Sequence, residues 1–448
     1  MAKLARDRVV HLMLRKGFRK FVSAIVVLVM VSGVPGVVAS LAAGSSVCPP
    51  LPPPNETIIK VDTVEQLRHA VNNAAPGATI LVAGGTYSLN GISLVFNTPN
   101  VTLRSASGDR AAVVLDGAYL SRAIVLINAS HVTIADLTMR HVRKHVIQVT
   151  ATARGEVVNT RIYNIHIIDP GEQAIKINTA SPGHYSDNGE IACSRIELTD
   201  AGRPRIQNNC YTGGIDAHKA RGWLVRDNVI EGFWCPEGLA EHAVHFWDGS
   251  RDTVVERNVL KDNARGVGFG MMDSGSTRAY PDAPCPAAQG YVDHYGGTIR
   301  NNFIFTSRKD LFAAQDGADC GICLWQSCQT QVLHNTVYST DPLRTFSSIE
   351  WRFGNTRANI INNLVNVPMK ERDGGSANVS GNVSNAKADW FVNAGLGDLH
   401  LVKTATSAID QATSLAGVTD DIDGACRPAG PTADVGAHEY GASSRCSQ

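Results

Sequence analysis

The stretch "VRDNVI" (225–230) returns in the same frame as "VERNVL" (255–260), "IRNNFI" (299–304), "VLHNTV" (332–337) and "IINNLV" (360–365). "IYNIHI" (162–167), with Asn164, and "IADLTM" (134–139), with Asp136, are taken as earlier members of the series. The series has a period of about thirty residues, with insertions and one skipped coil. Short apolar strands flank each Asn, and no convincing helix intervenes. Strand-only repeats of this length stack into a solenoid whose units cannot bury their apolar faces alone. The expected fold is therefore all-β, a single-stranded parallel β-helix. An Asn at every turn suits such a stack, because its amide can bond the amide one coil away while its backbone tolerates the left-handed bend. These Asn residues are structural.

One helix is expected, near the start. Asp62 and Glu65 are placed as a capping pair, and Val64, Leu67, Ala70, Val71 and Ala74 follow helical spacing before Pro76 and Gly77 end the segment. It would cap the open end of the solenoid. The chain has 448 residues, 44% of them hydrophobic, which is enough for one large or two ordinary domains. Its 41 Lys and Arg balance 41 Asp and Glu, so no nucleic-acid partner is expected.

Lys3, Arg6, Arg8, Arg15, Lys16, Arg19 and Lys20 precede an apolar run from Phe21 to Ala43. A basic start, an apolar stretch and small residues around Ala42 make residues 1–43 an export signal or, uncleaved, a membrane anchor. Either places the mature chain outside the cytoplasm, secreted, periplasmic or at the cell surface, with membrane contact only through that segment. Ten cysteines agree with disulfides in an exported protein, and their pairing is not deducible. Cys320, Cys323 and Cys328 lack a second matching pair or histidines at ligand spacing, so zinc is not expected there. Residues 44–56, with "CPPLPPPN", form a stiff linker. Residues 57–368 form the β-helix, and 369–448 form C-terminal coils and a cap. A capped solenoid is expected to be a monomer.

The motif Gly84-Gly85-Thr86-Tyr87, the Asn series and the terminal "DVGAHEYG" (434–441) resemble bacterial right-handed parallel β-helix proteins of the pectin-lyase-like superfamily. The resemblance runs from about Thr57 to Gly441. It implies a right-handed coil and an acidic polysaccharide as partner. Such proteins include polysaccharide lyases, hydrolases, epimerases and non-catalytic adhesins, so activity must come from a site.

Each Asn segment follows another short strand, and these strands align as "IVLIN" (124), "IQVTA" (147), "IKINT" (175), "IDAHK" (215), "VHFWD" (244), "VGFGM" (267), "ICLWQ" (322) and "IEWRF" (349). Equivalent positions of parallel coils lie at the strand spacing of about 4.8 Å. One outward column is then Val125, Gln148, Lys176, Asp216, His245, Gly268, Cys323 and Glu350. The next is Ile127, Thr150, Asn178, His218, Trp247, Gly270, Trp325 and Arg352. The face changes character at Lys176. Gly268 and Gly270 would leave a dent between aromatic walls, the usual form of a sugar subsite, with Asn178, Lys219, Trp247, Trp325 and Glu350 as binding groups. Glu241 and His242 fall in the turn before a strand.

For β-elimination of a uronic acid, Arg352, or Ca²⁺ held by carboxylates such as Asp216 and Glu350, would neutralise the sugar carboxylate. Lys176, His218 or His245 would be the base, with Asp216 orienting His245. No residue is otherwise assigned to a metal. "IDAHK" resembles the Ile-Asp-His strand of pectate lyases, with Ala217 inserted. A Lys–Arg pair of the chondroitinase-B or alginate-lyase kind would be Lys219 with Arg251, or Lys176 with Arg352. Hydrolysis needs two flanking carboxyl groups, and Asp216 has no close acidic partner in its column. The expected function is an exported polysaccharide-active protein, a uronate lyase first, with a non-catalytic glycan-binding or envelope protein as the alternative.

Overall fold

A computed structural model describes residues 48–54, 57–207 and 209–446. Residues 1–43, expected to be an export signal or membrane anchor, and the linker residues before Cys48 lie outside the described residues. Each coil supplies three short strands to three different sheets. Gly213–His218, Leu224–Arg226 and Val229–Glu231 pair in parallel with His242–Trp247, Val254–Glu256 and Val259–Lys261 of the next coil. The three sheets contain ten, fourteen and ten strands among the described residues. Alternation places Ile215, Ala217, Val225 and Ile230 inside, all fully buried in one continuous core. Each large aliphatic so buried contributes about 1.5–3 kcal/mol.

The turn between the second and third strands carries the Asn column. Asn228 Nδ2 donates to Asn258 Oδ1, Asn258 to Asn302, Asn302 to Asn335, Asn335 to Asn363 and Asn363 to Asn382, each at 2.9–3.0 Å. The same oxygens accept the backbone N–H of the preceding member, as Asn335 Oδ1 does from Asn302 N at 3.2 Å. The second Nδ2 hydrogen goes to a strand carbonyl, as from Asn302 to Val255 O at 2.9 Å. Asn258, Asn302, Asn335 and Asn363 are fully buried, so each amide has its full set of partners in a water-free turn.

The expected dual role of these Asn residues is divided between neighbours. The left-handed bend falls one residue earlier, at Asp227, Arg257, Asn301, His334 and Asn362, whose φ lies between 52° and 59°. Asn164 and Asp136 occupy that bend position, with φ of 49° and 56°, and do not belong to the buried column. Asn164 Nδ2 donates to Asp136 Oδ1 at 2.8 Å on the outside of the coil. In the skipped coil Ser194 takes the column place, donating its N–H to Asn228 Oδ1 and accepting from Ile165 N.

The helix spans Val64–Asn73 and buries Leu67, Ala70 and Val71 against the first coils. Its cap is Thr63, whose side chain accepts from Gln66 N, while Gln66 Oε1 accepts from Asp62 N at 2.9 Å. The capping pair is thus Thr63 and Gln66, not Asp62 and Glu65. The described part of the linker is docked: Tyr163 Oη donates to Pro49 O, Arg104 to Pro52 O, and Cys48 is bonded to Cys193. The other disulfides are Cys210–Cys235, Cys285–Cys328, Cys320–Cys323 and Cys426–Cys446. Parallel pairing continues to Ser376–Ser380; beyond it Trp390, Leu399, Val435 and Ala437 form a second core with Phe303, Phe305, Tyr338 and Leu364 on the outer face of the third sheet. Among the described residues no helix is long and apolar enough to cross a membrane.

Asn302→Ala removes a fully bonded buried amide and strands the donors of Asn258, at an expected cost of about 2–3 kcal/mol. Asn164→Gly keeps the bend and should cost less than about 1 kcal/mol. Urea unfolding of the two variants checks this difference; equal costs would contradict the division of roles.

Candidate functional site

Backbone pairing aligns Lys176 with Asp216, Asp216 with His245, His245 with Gly268, Gly268 with Cys323 and Cys323 with Glu350. His218 lies beside Trp247, and Trp325 beside Arg352. The early end of the alignment slips by one residue: Gln148 pairs with Leu126, while Val125 and Ile127 point into the core. The run Val125-Leu126-Ile127 is apolar in both parities, so its pattern does not set its register.

Lys176 Nζ is the hub. It donates to Asp216 Oδ2, lies 2.7 Å from His218 Nε2 and reaches Tyr211 Oη at 3.4 Å. Asp216 Oδ1 accepts from Trp247 Nε1 at 2.8 Å. Burial opposes the charge on Asp216, but Lys176, then His218 and His245, hold its carboxyl well below the usual range. Burial also opposes the charge on Lys176, and Asp216 reverses this, raising the ammonium pKa. The side chains of Lys176 and Asp216 are 8% and 3% exposed, whereas that of His218 is 23% exposed. The ion pair is thus a floor, and His218 is where it meets solvent.

The far side of His218 faces Asp248, with Nδ1 3.7 Å from Oδ2, and Lys219 Nζ lies 3.5 Å from the same oxygen. Trp247 packs against the His218 ring at a centroid distance of 4.3 Å. His218, Lys219, Trp247 and Asp248 are all partly exposed, and together they form one edge. Tyr211 was not legible in the sequence as a partner, since it stands in a loop that interrupts the repeat, whereas Asp248 directly follows the aligned strand at the end of "VHFWD". Burial pushes His218 down, but Asp216 and Asp248 outweigh it and hold the imidazole above its ordinary value.

Other expected members fall elsewhere. His245 is 1% exposed and does not hydrogen-bond Asp216, from which its Nδ1 is 3.8 Å away. It stacks on Trp247 and on His242. The expected glycine dent is filled: a Cβ on Gly268 would lie 2.6 Å from the His242 ring, and one on Gly270, whose φ is +82°, would lie 1.9 Å from Trp325 O. Gly268 and Gly270 therefore admit protein groups, and neither opens a subsite. Asn178 is turned to the preceding coil, accepting from Thr150 Oγ1 at 2.8 Å.

Trp325, Glu350 and Arg352 form a second cluster. Trp325 Nε1 donates to Glu350, which also pairs with Arg372, and Arg352 pairs with Asp373 while lying over Trp325. Four strand steps separate Asp216 from Glu350, about 19 Å. One Ca²⁺ cannot be shared by those two carboxylates, and Lys176 and Arg352, a further step apart, cannot act on one sugar. Arg251 is held by Asp282 and Asp252. Lys219 remains beside the His218 edge.

The pectate lyase Pel9A superposes on this chain with a TM-score of 0.51 at 12% identity, over 86% of this chain and 96% of that one. The alginate lyase from Paenibacillus sp. str. FPU-7 gives a TM-score of 0.49 at 15% identity, covering 73% and 99%. No protein-family model and no curated protein matches the chain. The first similarity shows the fold, a right-handed parallel β-helix of the pectin-lyase-like kind.

Because the folded-state pKa of His218 is raised, its contribution to stability is complete below about pH 6.5, the ordinary imidazole value, and is lost as pH rises through the elevated value. The destabilisation caused by His218→Gln should be largest in mild acid and shrink toward alkaline pH, as followed by urea unfolding across that range. A penalty that grows with pH would contradict the carboxylate-held imidazole.

Proposed function

We propose that the protein is an exported, polysaccharide-active β-helix protein that cleaves a uronic-acid-containing polymer by β-elimination at the His218 edge. The observation that carries this reading is the partly exposed His218, set between the buried Lys176–Asp216 pair and Asp248, with Trp247 against its ring. A sugar stacked on Trp247 would bring its carboxylate toward Lys219. As a neutral imidazole, His218 takes the proton from the carbon bearing the carboxylate. The carbon–oxygen bond at the adjacent carbon then breaks, a carbon–carbon double bond forms, and the departing oxygen takes a proton from water. Asp248 stabilises the imidazolium, and Lys176 keeps Asp216 charged. Acidic polysaccharide as the substrate class follows from the resemblance and is the class for which the pectate lyase sharing the fold is named. Five disulfides support export.

A second reading, a non-catalytic glycan-binding or envelope protein, is favoured by the burial of Lys176, Asp216 and His245, with Tyr211 of the loop tied by Cys210–Cys235 against Lys176. Hydrolysis ranks lower, since Asp216 and Asp248 stand on two sides of His218 and not across an open cleft.

Ultraviolet absorbance of the unsaturated product, followed with alginate, pectate, chondroitin and heparin, with and without Ca²⁺, separates the readings. Elimination predicts a rise with one polymer that falls about 10²–10⁴-fold in His218→Ala. No rise with any polymer, together with glycan binding that is lost in Trp247→Ala, would replace the lyase by the binding protein.

A further inference from the structure

Behind Trp247 lies a cluster that the proposed elimination does not use. Glu241, His242 and His245 bring one carboxylate oxygen and two ring nitrogens within 4.8 Å of one another. His242 and His245 are each 1% exposed. Both nitrogens of His242, Nδ1 of His245 and Oε2 of Glu241 are buried without a hydrogen-bond partner. A buried polar atom left unbonded costs about 1–3 kcal/mol, and one such atom from each of three adjoining side chains calls for a common partner.

The surroundings narrow what that partner is. His245 Nε2 lies 3.4 Å from Gly270 O. Donation to that carbonyl leaves the lone pair on Nδ1, the atom that faces Glu241 Oε2 at 3.5 Å. A second-shell bond of this kind is what orients a metal-bound imidazole. Room for the His242 ring exists because Gly268 has no side chain. Two imidazoles and one carboxylate suit a borderline ion, and with three protein ligands zinc keeps a fourth position open. Glu241, whose side chain is 16% exposed, gives the way in.

We propose that Glu241, His242 and His245 bind one divalent transition-metal ion, zinc by preference, through two imidazole nitrogens and a carboxylate oxygen. The ion ties the start of the His242–Trp247 strand and fixes the His245 ring on which Trp247 stacks. Cys320 and Cys323 also lie within 4.8 Å of His242, but their sulfurs are joined to each other and offer no thiolate.

The full chain, stripped with chelator under non-reducing conditions, is titrated with ZnCl2 against a competing indicator, and with Co²⁺ while visible d–d absorption is followed. The proposal predicts one ion per chain, a rise in melting temperature with zinc, and Co²⁺ bands. Glu241→Gln and His242→Gln should each weaken binding by at least about tenfold, since even second-shell losses cost that much. Cys320→Ser/Cys323→Ser should leave it intact. Glu241→Gln keeps the size and shape of the side chain, and its melting temperature in chelator should equal that of the parent, so a lost site is not mistaken for a lost fold. Absence of stoichiometric metal, binding that survives Glu241→Gln, or binding that appears only after reduction and vanishes in the cysteine variant would each overturn the proposal.

Discussion

A single column of buried amides sets the register on which the rest of this molecule depends. Asn228 through Asn382 each bond the next, so a coil displaced by one residue would leave an amide, two backbone N–H groups and a strand carbonyl unbonded in a dry turn. A one-residue slip would also exchange the inside and outside of every strand. Because the column forbids that slip, Lys176, Asp216 and His245 must lie above one another, although 40 and 29 residues of chain separate them. The chemistry on the outer face is a consequence of the order in the turn.

The Lys176–Asp216 pair shows why that order matters. Two charges taken this far from water are costly, and removing either partner leaves the other uncompensated. The pair holds because Trp247, His218 and Tyr211 complete its hydrogen bonds. Those same bonds orient the two rings that reach the surface, so the buried pair positions and the partly exposed edge touches. Glu241, His242 and His245 stand behind Trp247 as a further support of the same edge.

What was legible in the sequence was what repeats. The Asn column, the β-helix, the inward Ile and Val residues and the adjacency of Lys176, Asp216, His218, His245 and Trp247 all follow from a period that the chain states many times. The errors lie where the period is silent. Asn164 looked like a column member because Ser194, a different residue type, holds the neighbouring place. Val125 was misplaced in a strand apolar on both faces. The Gly268 dent was invisible as a filled space because His242 enters it from the adjacent strand, and Tyr211 belongs to an insertion. Cysteine pairing depends on where loops of unequal length return, which no spacing reports.

The central claim is that glycan meets this protein at the His218–Trp247 edge. Tryptophan fluorescence during titration with an oligouronate tests it directly, comparing Trp247→Phe with Trp325→Phe. The account predicts a saturable change that is retained in Trp325→Phe and lost in Trp247→Phe. A change that persists without Trp247 and disappears without Trp325 would move recognition to the Glu350–Arg352 cluster and contradict it.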